Sequence, residues 1–422
     1  MPDIFSNMSK KIKNFFRNQV NKVNEGRLPL LVRVRNLLLL LIVPFLLLVV
    51  LFIRLLRPFV LIRFGELISS KIGHLGANTE VYLCERDLGM QGPRSLDIFY
   101  INGFICNRQL MKMWKRVLPV SVFAPGLDWV NRALPGGDKH KIQWREHTQD
   151  RDIFCTMEHT KAHISFLAEE ERLGELLLQK LGIKNGSPFI CFLSRDPAYL
   201  DAVVPKINTR YHDHRDSDIK NFIPAVERLT ANGYSALRMG AIVKEPLEII
   251  NPMIIDYAIE YRTEFLDIFL GAKCRFYLGD PCGFHAIPMI FRRPLAIANF
   301  IPLEYAPTWS AQYLFIPKKL WLRGERRFLT FGQILGSKIG RCYYNQQYEK
   351  EEIEVIENTP EEITALAIEM DQRLKGEWQI NGDDDELQKR FWGLFKPGEL
   401  NRVFRSRIGA EFLRQNTNLL KI

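Results

Sequence analysis

The sequence has few cysteines, and none of them are paired in sequence. Seven are scattered over 422 residues, and none form a CxxC motif. Structural zinc sites and disulfide frameworks need clustered cysteines, so both are disfavoured and a reducing compartment is expected. The chain also lacks a Walker A motif, a GxSxG motif, internal repeats and long low-complexity tracts. These absences argue against P-loop nucleotide hydrolysis, serine-hydrolase chemistry and a solenoid fold.

Acidic residues are scarce near the N-terminus. The first 71 residues contain twelve Lys or Arg and only three acids, while the net charge of the whole chain is +10. The rest of the chain is therefore nearly neutral. A basic excess beside an apolar run is typical of proteins that contact anionic lipid headgroups. No nucleic-acid-binding motif accompanies the charge, so no nucleic-acid partner is expected.

The apolar run is LLLLLIVPFLLLVVLFI, seventeen residues (37–53) without a charge. A membrane-spanning helix needs roughly 17–25 such residues, so the run predicts an N-terminal membrane helix. Pro44 allows a kink or a return to the same side, which leaves spanning and shallow insertion open. Basic residues on both sides give no orientation. No cleavage site of a signal peptide follows, and a buried soluble helix is the remaining alternative.

From residue 59 onward, strand patterns alternate with helical patterns, which is typical of α/β domains. The predicted strands are 59–64, 96–101, 189–194, 234–238 and 295–299. The predicted helices are 78–88, 107–118, 166–181, 219–231, 263–271, 359–375 and one beginning at 407–414. A glycine-bearing loop is predicted at 70–77, and turn formers at 182–188 indicate a linker. Two doubly wound α/β domains are the simplest architecture.

One turn, 279–283, has the sequence GDPCG and follows a predicted strand. A helix beginning after it would direct backbone N–H groups and the positive end of its dipole at a ligand. Phosphate is a common occupant of such a site. The alternative is an ordinary strand-to-helix turn that Asp280 caps.

Other polar residues follow neighbouring strands of the same predicted sheet. Arg195 lies in SRDPAY, Arg215 and His212 lie in YHDHRDSD, and Arg238 and Gly240 lie in LRMG. The carboxyl ends of parallel strands share one edge of the sheet, so the three arginines could converge on a diphosphate. Ion pairs with nearby acids are the structural alternative.

The chain resembles a family of bacterial glycosyltransferases associated with surface-polysaccharide synthesis. The resemblance spans about residue 59 to the C-terminus and excludes the membrane segment. It is carried by SKIGHLGANTE (70–80), FLSRDPAYL (192–200), HDHRDSDIKNFIPAVERLTANGYSALRMG (212–240), FLDIFLGAKCRFYLGDPCGFHAIPMIFRRPLAIAN (265–299) and RIGAEFL (407–413). Where the family more usually has Ser/Thr-Gly, this chain has DPCG at 280–283.

The resemblance implies a GT-B-like fold with two Rossmann-like domains facing a cleft. Four regions are then expected: a basic N-terminus with the membrane segment (1–58), an acceptor-side domain (59–183), a donor nucleotide-sugar domain (184–380) and a C-terminal helical extension (381–422). The implied activity is transfer of a sugar from a nucleotide-sugar donor to a lipid-linked or polysaccharide acceptor. The implied location is the bacterial inner membrane, with the globular part on the cytoplasmic face.

The resemblance also implies roles for individual residues. The expected donor-binding residues are Arg195, Arg238, Gly240, Asp280, Cys282 and Gly283, with Arg215 and His212 in addition. The expected candidates for the catalytic base are Asp196, His74 and Asp216.

No metal or cofactor is expected, and the acidic run 383–386 is interpreted as a solvated helix cap. A sugar-nucleotide epimerase of similar fold and a non-catalytic membrane scaffold are the alternatives.

Overall fold

The computed structural model describes residues 30–92, 95–145, 149–203, 210–380 and 382–421, with side chains described from residue 42 onward. The basic residues before position 30 lie outside this range. The helices are α1 (Leu30–Leu55), α2 (Ile72–Asp87), α3 (Arg108–Val117), α4 (Ala124–Ala133), α5 (Ala168–Lys180), α6 (Ala198–Val203), α7 (Ile223–Ala231), α8 (Tyr257–Glu260), α9 (Glu264–Lys273), α10 (Ala286–Ile290), α11 (Phe331–Leu335), α12 (Asn345–Lys350), α13 (Pro360–Lys375), α14 (Asp384–Gly393) and α15 (Ala410–Gln415). The strands are β1 (Leu61–Leu67), β2 (Ser95–Ile101), β3 (Phe189–Leu193), β4 (Ser235–Arg238), β5 (Ile254–Ile255), β6 (Tyr277–Gly279), β7 (Leu295–Phe300), β8 (Tyr313–Pro317), β9 (Lys319–Leu322), β10 (Arg327–Phe328), β11 (Ile353–Ile356) and β12 (Arg407–Ile408).

Chain contacts divide the protein into two compact units. The first contains the chain up to Ser70 together with Gly89–Cys106 and Trp114–Arg145. In it, β1 and β2 pair in parallel, and single bridges from Lys141 and Val120 flank them. Side chains of α1, β1 and β2 form its core, and α4 packs on α1.

The predicted membrane segment lies within α1. Within the stretches that the structure describes, we find no helix with both the length and the hydrophobicity needed to cross a membrane. Between Ile42 and Leu55, several large apolar side chains of α1 are exposed, including Phe45 and Leu48 at 65% and 66%.

The second unit contains Lys71–Leu88, Asn107–Met113 and Glu146–Ile422. Its main sheet has seven parallel strands in the order β12-β8-β7-β6-β3-β4-β5. The central strands β3, β6, β7 and β8 are buried along their whole length, and their sequences are almost entirely apolar. A small antiparallel sheet of β10, β9 and β11 follows.

The mixed α/β prediction with a parallel sheet is confirmed. The four regions expected from the sequence, with a boundary between residues 183 and 184, stay a prediction. Helix α2 belongs to the second unit because it packs on α10, with Gly76 under Ile287 and Ile290. The first unit contains only two named strands among its described residues, fewer than a full Rossmann-like domain requires.

Candidate functional site

The order of the main sheet defines where a ligand is expected. In chain order, β3, β4 and β5 extend the sheet toward one edge, and β6, β7 and β8 then extend it from β3 toward the opposite edge. In such sheets the ligand-binding crevice lies beyond the carboxyl ends of the two strands at the reversal, here β3 and β6. The two strands lie so close together there that a Cβ added to Gly279 would be 2.2 Å from the Leu193 carbonyl oxygen.

Asp280 organises this edge from a fully buried position. Its carboxylate accepts hydrogen bonds from the Arg195 backbone N–H (2.8 Å), the Ser217 hydroxyl (2.5 Å) and the Asn299 side-chain amide (2.9 Å). Burial raises the pKa of the Asp280 carboxyl, and these bonds act in the opposite direction. The carboxylate is therefore occupied by protein donors, so it positions the strand ends and does not cap a helix.

Arg195 directs its guanidinium across the same edge. It donates to the Asp216 carboxylate and to the His212 carbonyl. Burial, followed by repulsion from Arg215, lowers the pKa of Arg195 to about 10. The positive charges of Arg195 and Arg215 therefore repel each other where water is largely excluded, and a bound anion would reduce this repulsion.

Arg215 is the second cation of this edge. Its guanidinium donates to the Pro281 carbonyl (3.0 Å) and lies over the Tyr343 ring, while its buried Nε atom has no hydrogen-bond partner. Within the described residues, no carboxylate lies at ion-pair distance from Arg215. A buried donor without a partner is uncommon, and here Arg215 Nε is available to donate to a bound anion.

Lys318 is a third cation, which the sequence pattern did not indicate. It is buried directly after β8 and donates to the Asp216 carbonyl (2.6 Å). Burial lowers its pKa, while the charges of Asp280 and Glu357 act to raise it. Because β8 was not predicted from the sequence, the position of Lys318 at the end of a strand could not be inferred.

The turn after β6 differs from the expected phosphate-binding helix start. The helix that follows, α10, has only five residues and begins at Ala286, so its dipole is small. The Cys282 backbone N–H already donates to His285 Nδ1 (3.1 Å). Burial lowers the pKa of His285 to about 4, so its ring is neutral at pH 7. Its single proton therefore lies on Nε2, which is a potential donor to a ligand.

His74 lies in the first turn of α2, where a loop was expected. The prediction of a loop at 70–77 is wrong from Ile72 onward, because the glycines there allow close helix packing. A Cβ on Gly73 would lie 3.1 Å from Gly283 Cα, so this turn abuts the turn after β6. His74 Nδ1 lies 3.2 Å from the Asn78 amide oxygen, and the Asn78 amide nitrogen donates to Gln149 (2.9 Å). This chain of amides places the proton of a neutral His74 on Nδ1.

The two other candidates for the catalytic base, Asp196 and Asp216, are engaged by the protein itself. The Asp196 oxygens accept the backbone N–H groups of Ala198 and Lys244 (2.9 and 3.1 Å). Asp216 is paired with Arg195. Both carboxylates therefore have a clear role in holding loops.

Arg238 is engaged by groups on the β4–β5 side of the sheet. It is buried, pairs with Asp256 (3.1 Å) and donates to the Glu245 carbonyl. The expectation that it contacts a diphosphate is not supported by this geometry, because its donors are directed to the β4–β5 side. Gly240 follows it with a φ of +156°, where a Cβ would lie 2.4 Å from Val243 Cγ1. It therefore serves the close packing of this loop.

A second group of buried polar residues was also missed. Asn299 and Asn358 exchange two hydrogen bonds between side chain and backbone N–H (2.6 and 2.7 Å), and the Asn358 amide donates to the Pro317 carbonyl. Together with the bond from Asn299 to Asp280, this network joins the carboxyl ends of β6, β7 and β8. The site is thus built on rigid strand ends.

One group of potential metal ligands exists within the described residues. Glu80, Cys84 and His163 have ligand atoms within 4.8 Å of one another. The Arg292 guanidinium already donates to the Glu80 carboxylate (2.7 Å) and to the Cys84 sulfur (3.4 Å). This cation neutralises the carboxylate. The metal-free activity expected from the sequence stays a prediction.

The acidic run beginning at Asp383 binds arginines. Asp383 and Asp384 contact Arg414, and Asp385 contacts Arg407 (3.1 Å). These residues begin α14, as an acidic helix start would. The interpretation as a solvated cap is wrong for Asp384, because this residue is buried against Arg414.

No protein-family model matches the chain, and no curated protein matches its sequence. Among solved structures, it is similar to the glycosyl transferase family 9 protein of Veillonella parvula DSM 2008, with 11% identity, 61% of this chain and 86% of that chain covered, and a TM-score of 0.38. It is also similar to the ADP-heptose LPS heptosyltransferase II of E. coli, with 13% identity, 60% and 90% coverage, and a TM-score of 0.34. Both similarities are partial and concern the general α/β architecture.

Proposed function

We propose that this protein is a glycosyltransferase that binds the diphosphate of a nucleotide sugar at the carboxyl edge of the main sheet. The supporting observation is the group of three cations, Arg195, Arg215 and Lys318, at or near the reversal point between β3 and β6. Few carboxylates neutralise these cations. Asp216 pairs with Arg195, whereas the Asp280 carboxylate accepts hydrogen bonds from backbone and uncharged side-chain donors. A diphosphate supplies the missing negative charge, and arginine matches its oxygens in a bidentate manner.

The reaction breaks the bond between the sugar anomeric carbon and the diphosphate oxygen. The acceptor hydroxyl oxygen forms the new bond to that carbon, and the nucleoside diphosphate leaves with the bonding electrons. Arg195 and Arg215 stabilise the negative charge that develops on the leaving group. The His285 Nε2–H and the backbone of Gly283 are further donors at the same turn. In this proposal, side-chain cations serve the role that a metal ion has in other transferases.

His74 is the best-placed candidate for the base that takes the acceptor proton. Asn78 fixes its Nδ1 as the donor, so Nε2 carries the lone pair that a base requires. Asp196 and Asp216 are less suited, because backbone N–H groups and Arg195 respectively occupy their oxygens. The first turn of α2 also abuts the turn that contains Gly283.

We further propose that the acceptor is lipid-linked or polysaccharide and that the protein associates with the cytoplasmic face of the bacterial inner membrane. The exposed apolar side chains of α1 and the basic surplus of the N-terminal sequence support this association. Surface-glycan synthesis is the process implied by the sequence resemblance.

Calorimetric titration with UDP, GDP, CDP, ADP and dTDP tests the donor site. We expect at least one nucleotide to bind, and Arg215→Ala to weaken that binding about 10-fold or more, because a charge-assisted hydrogen bond is lost. The exposed Arg228 on α7 provides the matched control, Arg228→Ala. Arg238→Ala is unsuitable as a control because it leaves Asp256 without its partner.

The same samples separate the alternatives. Absence of binding by every nucleotide in correctly folded protein contradicts the proposal and favours a scaffold. If a donor sugar is isomerised when no acceptor is present, the protein is an epimerase instead.

A further inference from the structure

Beside the cations lies a surface cluster of aromatic rings, which we name the tyrosine cluster. It consists of Tyr211, His212, Tyr305, Tyr343 and Tyr344. The His212 and Tyr344 rings are stacked, with centroids 5.6 Å apart and planes 11° apart. Despite these contacts, Tyr211, Tyr343 and Tyr344 remain 38%, 38% and 49% exposed.

The tyrosine cluster is more exposed to solvent than aromatic groups that only stabilise the fold. Aromatic rings that pack for stability alone are usually covered, whereas exposed groups of them mark binding surfaces. Tyr344 presents one face to His212 and keeps almost half of its surface open to solvent. The cluster is also held in place, because His212 Nδ1 bonds the Tyr343 carbonyl (3.0 Å).

The tyrosine cluster is continuous with the cations of the sheet edge. The Arg215 guanidinium lies 5.6 Å from the centre of the Tyr343 ring, and Arg195 donates to the His212 carbonyl (3.3 Å). Burial, followed by the charge of Arg215, lowers the pKa of His212 to about 4. The imidazole is therefore neutral at pH 7 and presents an aromatic surface without a charge.

We propose that the tyrosine cluster is the nucleobase subsite of the donor, with Tyr344 as its main stacking surface. This inference rests on the proposed function, because it places the base of the same nucleotide whose diphosphate contacts Arg195 and Arg215. A planar base stacks on exposed aromatic rings, and such stacking tolerates every base because each has a π-face. A nucleoside diphosphate presents both required parts, a planar ring and an adjacent pair of phosphates.

Few neighbouring side-chain amides are free to form hydrogen bonds that would distinguish one nucleobase from another. The Asn345 amide oxygen accepts from His214, and its nitrogen donates to the Arg210 carbonyl. The Gln347 amide oxygen accepts the backbone N–H groups of Tyr343 and Tyr344. Stacking is therefore the main contribution expected from this surface.

Calorimetry with ADP, UDP and inorganic pyrophosphate tests the inference. The variants are Tyr344→Ala, Tyr344→Phe and the matched control Tyr261→Ala, which removes a similarly exposed tyrosine outside the cluster. We expect Tyr344→Ala to weaken nucleotide binding by about 5- to 150-fold, the range that loss of one base–aromatic stack gives. Pyrophosphate affinity should stay unchanged, and Tyr344→Phe and Tyr261→Ala should bind as the wild type does.

Two outcomes overturn the inference while leaving the proposed function intact. One is unchanged nucleotide affinity in both Tyr344→Ala and Tyr343→Ala, with a loss in Arg215→Ala. The other is an equal loss of pyrophosphate and nucleotide binding in Tyr344→Ala, which assigns the ring to the phosphates or to local structure. If folded wild-type protein binds none of the five nucleoside diphosphates and no pyrophosphate, the inference and the proposed function are both wrong.

Discussion

Asp280 organises the candidate site as a single buried residue. An acid beside a diphosphate would repel it, but here the carboxylate is turned inward and accepts from Arg195, Ser217 and Asn299. Burying such a charge is costly unless hydrogen bonds compensate, and three donors do so here. The result is that the Arg195 backbone is fixed at the end of β3, while its guanidinium stays directed to the ligand side.

His74 gives the first prediction at the residue scale. If it is the base, His74→Ala should lower kcat about 100-fold or more while nucleotide affinity is unchanged, because only proton transfer is removed. Asn78→Ala should lower kcat less, since the ring keeps its place but loses the partner that fixes its tautomer. Steady-state kinetics and calorimetry on the same samples check both. Weaker nucleotide binding with unchanged kcat would instead make His74 a donor contact.

His163 gives a pH-dependent prediction. Burial lowers its pKa, but hydrogen bonds to Cys84 and Glu80 and the charge of Glu80 outweigh this and raise it to about 10. Asp87 contacts the other ring nitrogen (3.0 Å), and the Arg292 cation also faces the cluster. The folded-state pKa exceeds the unfolded value of about 6.5, so the stabilisation is complete below that pH and is lost as the pH rises toward 10.

Urea unfolding of the wild type at pH 6.5, 8 and 9.5 measures this loss. We expect the free energy of unfolding to fall by at most about 1.4 kcal/mol per pH unit relative to His163→Gln. His159→Gln, at an exposed neighbouring position, should follow the wild type. Parallel curves for wild type and His163→Gln would show that the histidine does not hold its proton.

At the scale of elements, β3 and β6 meet without space for a side chain. A Cβ on Gly279 would lie 2.2 Å from the Leu193 carbonyl oxygen, which is backbone and cannot turn aside. The two strand ends carry Arg195 and Asp280, so their separation also sets the geometry of the site. Close packing of strands and the placing of ligand groups therefore depend on the same glycine.

Gly279→Ala should lower the free energy of unfolding by about 1–3 kcal/mol, the usual cost of overpacking, and should weaken nucleotide binding as well. Gly324→Ala is the matched control, because its new Cβ would approach only the end of the Glu352 side chain, at 3.3 Å. Thermal unfolding and calorimetry check both variants. A Gly279→Ala protein as stable as the wild type would show that β3 and β6 can separate without cost.

The sequence predicted elements well where apolar periodicity was strong. The strand at 189–194 and the helix at 359–375 agree with β3 and α13 within one residue. The predicted start of α2 was six residues late, because Gly73 and Gly76 resemble loop residues, and only contact with α10 explains them. Strands β8 to β11 were not predicted. β8 is a short apolar run that periodicity alone does not distinguish from a buried helix segment, and β9 to β11 are only two to four residues long.

The site was predicted less completely than the fold. Its location at the sheet edge followed from the order of strands and helices, and Arg195 and Arg215 are there. Sequence alone could not separate them from Arg238, because its partner Asp256 is brought near only by the pairing of β4 with β5. Lys318 follows β8, a strand that was not predicted. Asn299 ends a predicted strand, but its partner Asn358 lies 59 residues away in the chain, and only the fold brings the two together.

At the scale of the whole molecule, charge is unevenly distributed along the chain. Twelve of the Lys and Arg residues lie in the first 71 positions with only three acids, although the net charge is +10. Exposed apolar side chains of α1 lie in the same part of the chain. Each basic residue near an anionic membrane contributes about 1 kcal/mol of attraction, and apolar side chains add to it where they enter the interface.

The full-length protein should therefore sediment with vesicles that contain phosphatidylglycerol and much less with pure phosphatidylcholine vesicles. Raising the salt concentration from about 0.05 to 0.5 M should weaken the binding, because the Debye length shortens to a few ångström. The double variant Phe45→Asp/Leu48→Asp should reduce binding further, because it places acids on the exposed apolar face of α1. The matched control Ile250→Asp changes an exposed apolar residue of the second unit and should bind as the wild type does. Equal binding to both kinds of vesicle, or no effect of the double variant, would contradict membrane association through α1. The proposed donor site at the sheet edge would not be affected by that result.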